Sequence, residues 1–329
     1  MDTSQKYFLI VAQELNMTKA AQKCFVSHQT ISQHIHQIEE RYGVMLFYRT
    51  PRLALTEEGK QVFESLMLIE NIEKNLKSYI SKDSGEIKGQ IRLGVPDSRH
   101  DIIIPNLLPP FKLRYPNIQF EVTSDFTENL EEMTQNGLID FFIGIGLLHS
   151  KSLTSVRLRE ESFYLIISKE MLKQYYPGEE KTVIDKWRDG ISIAEIERIP
   201  LILNPPTSRL RKRIEEIANM NRLRLNIAFE SNKNGVFADL CRANYGAYIA
   251  SDIFLPSIIK SYHAAEKNPL YCFPVKCLNN HAFSNDVFMA YHYRREFLPY
   301  QKDFMSMTIN YFNKMDPSVV LLDEANHKS

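Results

Sequence analysis

The stretch from Ser27 to Gly43 constrains this chain more than any other. A serine accepts hydrogen bonds from the free N–H groups of a starting helix, and a glycine takes the left-handed conformation that ends one. The two therefore bracket a helix over residues 28–42. At about 100° per residue, Ile31, Ile35, Ile38 and Tyr42 fall in one narrow arc, an inward apolar stripe. His28, Gln29, Ser32, Gln33 and His36 fill an outward face of hydrogen-bonding side chains. Glu39 and Glu40 share that face at its C-terminal end, where carboxylates repel phosphate, so only the N-terminal half suits a nucleic-acid groove. A solvated polar face accounts for such a helix equally well by itself, and its neighbours decide.

Upstream, Tyr7, Phe8, Val11, Ala12 and Leu15 recur at three-to-four spacing, the stripe of a first helix. Asn16-Met17 breaks it, and Thr18 is placed to cap a second short helix through Lys23. Ala20 and Ala21 allow a close helix crossing, with Cys24 and Phe25 expected to complete the small core. Downstream, Leu46 to Arg49, Thr50-Pro51-Arg52 and Leu53 to Leu55 read as strand, turn and strand, with arginine on both sides of the turn. Helix, helix, polar-faced helix and basic hairpin describe a winged helix-turn-helix. The third helix then enters a major groove while the wing arginines meet phosphates or the minor groove.

Thr56 opens a long helix, with Glu57 and Glu58 suited to its positive end. Val62, Leu66, Ile69, Leu76 and Ile80 follow four-three spacing, and Ile72 stands near the missing step. From Glu57 to Ser81 such a helix spans roughly 37 Å at about 1.5 Å per residue. With nothing local to pack on, its stripe is expected to dimerise. A polar Lys82-Asp83-Ser84-Gly85 hinge follows.

From residue 90 the pattern alternates. Strands are expected at 90–95, 118–122 and 140–145, with helices at 103–114 and 127–136 between them, a βαβαβ run that implies a parallel sheet. A second lobe follows, with strands near 163–168, 201–203, 224–229 and 247–251 and helices near 208–219 and 235–243. A late strand at 287–293 and a helix at 298–312 close the chain. In open α/β sheets a ligand lies beyond the carboxyl ends of the strands. That places Asp97, Ser98, Arg99 and His100 after the first strand, Asp125 and Phe126 after the second, and Thr207 and Ser208 on the other lobe as candidate effector residues. Two helix N-termini facing one cleft suit an anion, with hydroxyls and Arg99 or His100 completing the cage. The same hydroxyls also read as ordinary helix caps.

The N-terminal segment resembles the LysR-type transcriptional regulators. Met17-Thr18-Lys19-Ala20-Ala21, Val26 through Ile35, Ile38-Glu39, Gly43-Val44, Leu46-Phe47, Arg49 and Leu55-Thr56-Glu57-Glu58-Gly59 carry the resemblance. In the second half it rests on Arg92-Leu93-Gly94, Pro105 with Leu108-Pro109, Arg114-Tyr115-Pro116, Gly137 to Asp140 and Pro200-Leu201-Ile202. One departure matters: the family usually has glutamine then proline after the capping serine, where this chain has His28-Gln29. The resemblance implies an α+β multidomain chain. It would comprise a winged helix-turn-helix over 1–58, a linker and dimerisation helix with hinge over 59–87, a two-lobed α/β periplasmic-binding-protein-like effector domain over 88–315, and a tail over 316–329. Lobe 1 would comprise 88–160 and 270–315, and lobe 2 161–269. It also implies a homodimer or homotetramer, a small-molecule effector that is often carboxylated, and contact with RNA polymerase.

On that reading Thr18, Lys19, Ser27, Arg49 and Arg52 position the domain on phosphates of double-stranded DNA. Bases of an inverted-repeat operator are read by His28, Gln29, Thr30, Ser32, Gln33 and His36. The 329 residues hold 40 basic and 40 acidic side chains, which excludes a generic polycation but not a sequence reader. Residues 1–56 hold six basic against four acidic side chains, so each head is expected to bind DNA weakly until doubled. His28, His34 and His36 would strengthen binding as pH falls towards about 6 if they face phosphate.

Four cysteines are too few for a disulfide framework and fit a reducing cytoplasm. Cys272 and Cys277 read as strand thiols, with a redox switch as the rarer alternative. Met1 to Gln5 do not read as the start of a secretory leader, and no membrane span is expected, since no apolar run approaches the needed length. Gly144-Ile145-Gly146 is followed by His149 where a dinucleotide fingerprint needs its third glycine, and Ser257 to Lys260 lacks the companions of a Ser-x-x-Lys enzyme. The expectation is therefore no enzyme, no metal and no cofactor. A small-molecule-binding enzyme and a sequence-tolerant architectural DNA-binding protein are the alternatives.

Overall fold

The computed structural model describes residues 1–80, 87–146, 148–258, 268–276 and 283–315. Three helices open the chain: α1 (Thr3–Glu14), α2 (Met17–Cys24) and α3 (His28–Tyr42). A two-stranded hairpin of β1 (Phe47–Tyr48) and β2 (Ala54–Leu55) follows, then the 24-residue α4 (Glu57–Ile80). Ser27 caps α3 by accepting from the Thr30 N–H, and Gly43 ends it in the left-handed conformation. Ile31, Ile35 and Ile38 are buried against Phe8, Val11, Ala20 and Ala21. Thr56 caps α4 through its hydroxyl, which accepts from the Gly59 N–H at 2.9 Å.

Several local expectations in this domain are corrected. Asn16, not Thr18, caps α2, because its side chain accepts from the Lys19 N–H one turn in. Phe25 is 96% exposed, since it ends α2 with a positive φ of 56° that turns its ring away from the core. Tyr42 is likewise exposed, at the C-terminal end of the α3 stripe. Glu39 is buried rather than outward, for a reason given below. Leu66 is 1% exposed, because the first half of α4 packs back on α1 through Phe63, Leu66 and Met67.

The remainder forms two α/β lobes on one continuous sheet. Lobe 1 holds β3 (Gly89–Pro96), α5 (His100–Arg114), β4 (Ile118–Asp125), α6 (Thr127–Gln135) and β5 (Phe141–Ile145). β3 runs parallel to both β4 and β5, as the alternation predicts. Helix α5 begins three residues earlier than expected, behind a 3-10 turn at Asp97–Arg99. β6 (Leu153–Ser168) is one 16-residue strand serving both lobes. Its first part, 153–162, pairs with β12 (Ser284–His292) in lobe 1, and its last part, 163–168, with β10 (Ala247–Ser251) and β11 (Leu270–Lys276) in lobe 2. Lobe 2 adds α7 (Lys169–Tyr175), α8 (Glu180–Trp187), β7 (Ile191–Ser192), β8 (Leu201–Leu203), α9 (Arg209–Met220), β9 (Ile227–Glu230) and α10 (Phe237–Arg242). The final helix α11 (Pro299–Asn313) returns to lobe 1.

The expected lobe boundary at 270 is therefore wrong. β11 pairs with the lobe 2 end of β6 and with β7, so the return to lobe 1 comes with β12. Trp187 anchors the lobe 2 core, while Phe111, Phe141 and Phe304 cluster in lobe 1. Lobe 1 touches the N-terminal domain through α4: Arg92 Nη2 donates to Asn71 Oδ1 at 2.9 Å, and Arg92 and Arg295 converge on Asp140. Among the described residues, no helix is long and apolar enough to cross a membrane.

Candidate nucleic-acid interface and effector cleft

The N-terminal half of α3 and the wing form one surface. A groove between them is lined by Asn16 and Met17 of α2, His28 and Ser32 of α3, and Arg49, Arg52 and Leu53 of the wing. Gln29, Gln33 and His36 are exposed on α3, and Thr18 and Lys19 are exposed on α2. The Ser27 and Thr30 hydroxyls bond each other at 2.8 Å, so both serve the cap. His36 Nε2 stands 3.2 Å from Glu40 Oε1. His34 is turned inward, with Nδ1 2.9 Å from Ser4 Oγ and its ring edge-on to Tyr7, so it does not share the outward face with His28 and His36.

Glu39 explains how the wing is held. Its carboxylate accepts from the Leu46 N–H at 2.9 Å and the Phe47 N–H at 3.4 Å, and pairs with Arg49 at 3.3 Å. An acidic residue on the helix would repel phosphate if exposed; buried, it orients a wing arginine. No periodicity links residues ten apart on a helix and a hairpin, so only the tertiary packing reveals this role.

Between the lobes lies a cleft of about 490 Å³, within the usual range for small-molecule sites. Asp97, Ser98, Arg99, Asp125, Phe126 and Ser208 line it. Ser208 precedes α9, lines the cleft and makes no side-chain cap bond. His100 and Thr207 do not line the cleft. His100 Nδ1 is bound to Ser124 Oγ at 2.6 Å, and Thr207 points to solvent. Arg99 is buried and ion-paired with the fully buried Glu161 of β6, with its guanidinium 5.6 Å from the Phe254 ring.

Two cross-lobe contacts were not visible in the sequence. Arg209, at the start of α9, reaches lobe 1, donating to the Ile145 carbonyl at 2.6 Å and pairing with Glu128 at 3.0 Å and Glu131 at 3.4 Å. Lys233 pairs with Asp97 at 3.2 Å. Glu131 also accepts from the N–H groups of His149 and Ser150, tying this latch to the segment that leads into β6. A charged residue at a helix start is readable from sequence, but its partner on another lobe is not.

The expected dimer stripe divides. Val62 and Leu66 belong to the core of their own domain, whereas Ile69, Ile72 and Leu76 are exposed at three-to-four spacing. The side chain of Ile80 lies outside the described residues, as does Cys277. Cys241 is buried, and burial pushes its thiol up to about 12, so it is inert at neutral pH.

Two family models match the chain: "Bacterial regulatory helix-turn-helix protein, lysR family" over residues 4–60, and "LysR substrate binding domain" over residues 84–308. Among similar proteins, the HTH-type transcriptional regulator YraN of Bacillus subtilis is 26% identical over 189 residues, covering 54% of this chain and 65% of that one. The HTH-type transcriptional activator CmpR of Synechocystis is 26% identical over 245 residues, covering 74% of this chain and 76% of that one. The chain thus spans just under two thirds of the first relative and about three quarters of the second. A full-length OxyR variant from Pseudomonas aeruginosa superposes with a TM-score of 0.68 at 16% identity, covering 96% of each chain, a likeness of fold.

Proposed function

The chain belongs to the lysR family of bacterial regulatory helix-turn-helix proteins, and from that membership we propose that it is a dimeric transcriptional regulator whose grip on an operator depends on a small molecule held between its lobes. One observation carries the reading: the N-terminal half of α3 and the wing arginines line the same groove, with the acidic Glu39 withdrawn beneath it. His28, Gln29, Ser32 and Gln33 are placed to read base edges, and Arg49, Arg52 and Lys19 to meet phosphates. Two-fold pairing through the exposed stripe of α4 calls for an inverted repeat with half-sites about one helical turn apart, or a multiple of it. The Arg209 latch and the Arg92–Asn71 bond give a route from cleft to α4, along which ligand binding would shift the spacing of the heads and their contact with RNA polymerase.

Selection of duplexes from a random-sequence pool by the full-length chain tests the proposal. A regulator enriches a two-fold-symmetric site with a specificity ratio of roughly 10³ or more over random duplex at fixed salt. Enrichment of no sequence, with binding governed by salt alone, would instead favour an architectural DNA-binding protein.

A further inference from the structure

Resting on the reading of the inter-lobe cleft as an effector site, we propose that its ligand is an organic cation, an ammonium group on an aromatic or apolar body. Five carboxylates line the cleft: Asp97, Asp101, Asp125, Glu128 and Asp239. Asp97 pairs with Lys233, Glu128 with Arg209 and Asp239 with Arg242, which leaves Asp101 and Asp125 without a cationic partner among the described residues. Only three guanidiniums accompany them, and each already meets a carboxylate. Arg99 pairs with Glu161, Arg209 with Glu128 and Glu131, and Arg242 with Asp239. A carboxylate ligand would have to displace one of these partners and would then sit among the rest.

The helix ends do not rescue an anion. Their partial positive charge is answered from within the chain, by Asp101 in the first turn of α5 and Glu128 in the first turn of α6. Helix α9 has no acidic residue in its first turn but carries Arg209 there, which draws Glu128 and Glu131 across from lobe 1. Phe163, Phe237 and Tyr248 add aromatic rings to the lining, and ring faces attract cations.

An independent feature points to a bound molecule. Ser251 is 1% exposed and lines the cleft, and its hydroxyl has no hydrogen-bond partner among the described residues. The Arg99–Glu161 pair is joined through Nη2 and Oε2, leaving Arg99 Nε and Glu161 Oε1 buried without partners among the described residues. Buried polar groups are normally satisfied. A ligand that carries a hydroxyl as well as an ammonium offers one group to the Ser251 hydroxyl and the other to the Asp101 and Asp125 carboxylates.

Isothermal titration of the full-length chain with 4-hydroxyphenylethylamine and with 4-hydroxyphenylacetate separates the charge signs on one ring. The amine is expected to bind at least about tenfold tighter, with the preference shrinking as salt is added. The Asp101→Asn/Asp125→Asn double variant, assayed at a temperature where circular dichroism shows it folded, should lose most of that preference. Equal or tighter binding of the carboxylate, or binding of neither by the folded chain, overturns the proposal. Duplex selection on the same preparation separates the two readings. A chain that selects an operator but does not prefer the amine loses only the ligand class. A chain that prefers the amine but selects no operator loses the regulator reading.

Discussion

The Glu39 carboxylate and the Arg49 guanidinium meet at 3.3 Å beneath the wing, joining the recognition helix to the hairpin that flanks it. The same carboxylate accepts from the Leu46 and Phe47 N–H groups. Glu39→Ala should therefore cost about 1–3 kcal/mol of stability through stranded buried donors. It should also weaken binding to every duplex alike, because the wing loses its register. Glu39→Gln keeps an acceptor and should lose less. Urea unfolding together with binding to specific and random duplexes checks this; a Glu39→Ala chain as stable as the parent would remove Glu39 as the anchor of the wing.

Base reading and phosphate binding should separate by residue. Gln33→Ala removes a side chain able to pair bidentately with adenine, and should relax discrimination at one operator position by roughly 1–3 kcal/mol. Arg52→Ala should weaken all sequences equally and reduce the salt slope by about one phosphate contact. If Gln33→Ala left every single-base operator variant bound as before, the assignment of the outward face of α3 would fail.

What the sequence disclosed and what it withheld follow from the range of the interactions. The α3 stripe, its Ser27 cap and its Gly43 stop depend on residues three or four apart, so periodicity and capping rules reach them. The parallel order of β3, β4 and β5 follows from alternation. The displacement of β11 into lobe 2 does not, because it depends on which half of β6 it meets, a pairing about 100 residues away in sequence. Glu39, Arg209 and Glu131 follow the same rule: a charged side chain advertises itself in sequence but not its partner. Leu66 and Leu76 look alike in a heptad-like stripe, and only the packing of α1 against the first half of α4 tells them apart.

The lobe junction should impose a pH dependence on stability. Burial pushes the Asp252 carboxyl up to about 6, opposed by Arg159 and reinforced by Glu161, with Arg99 and the Ser162 N–H also nearby. The unfolded chain releases this proton near pH ~4, so the folded state binds it more tightly. The stabilising contribution is complete below about pH 4 and is lost as pH rises through about 6. Asp252→Asn abolishes that titration. The stability difference between parent and variant should change across about pH 4 to 6 and be level above about 7. Urea midpoints measured along this range check it, and a constant difference throughout would mean that Asp252 does not titrate there.

The division of α4 makes opposite predictions for residues one or two turns apart. Leu66 fills the core between α1 and α4, so Leu66→Ala should cost about 2–5 kcal/mol of folding stability and leave the assembled mass unchanged at temperatures where the chain is folded. Ile72 and Leu76 are exposed on the chain itself, so Ile72→Asp leaves the fold's own packing untouched. It places a charge in the proposed dimer seam, which should shift the chain to monomer. With each head bearing a small basic surplus, operator affinity should then drop steeply, because two weak contacts no longer act together. Sedimentation equilibrium, urea unfolding and operator titration on both variants test the scheme. An Ile72→Asp chain with the parent's mass and operator affinity would place the dimer seam elsewhere than on α4.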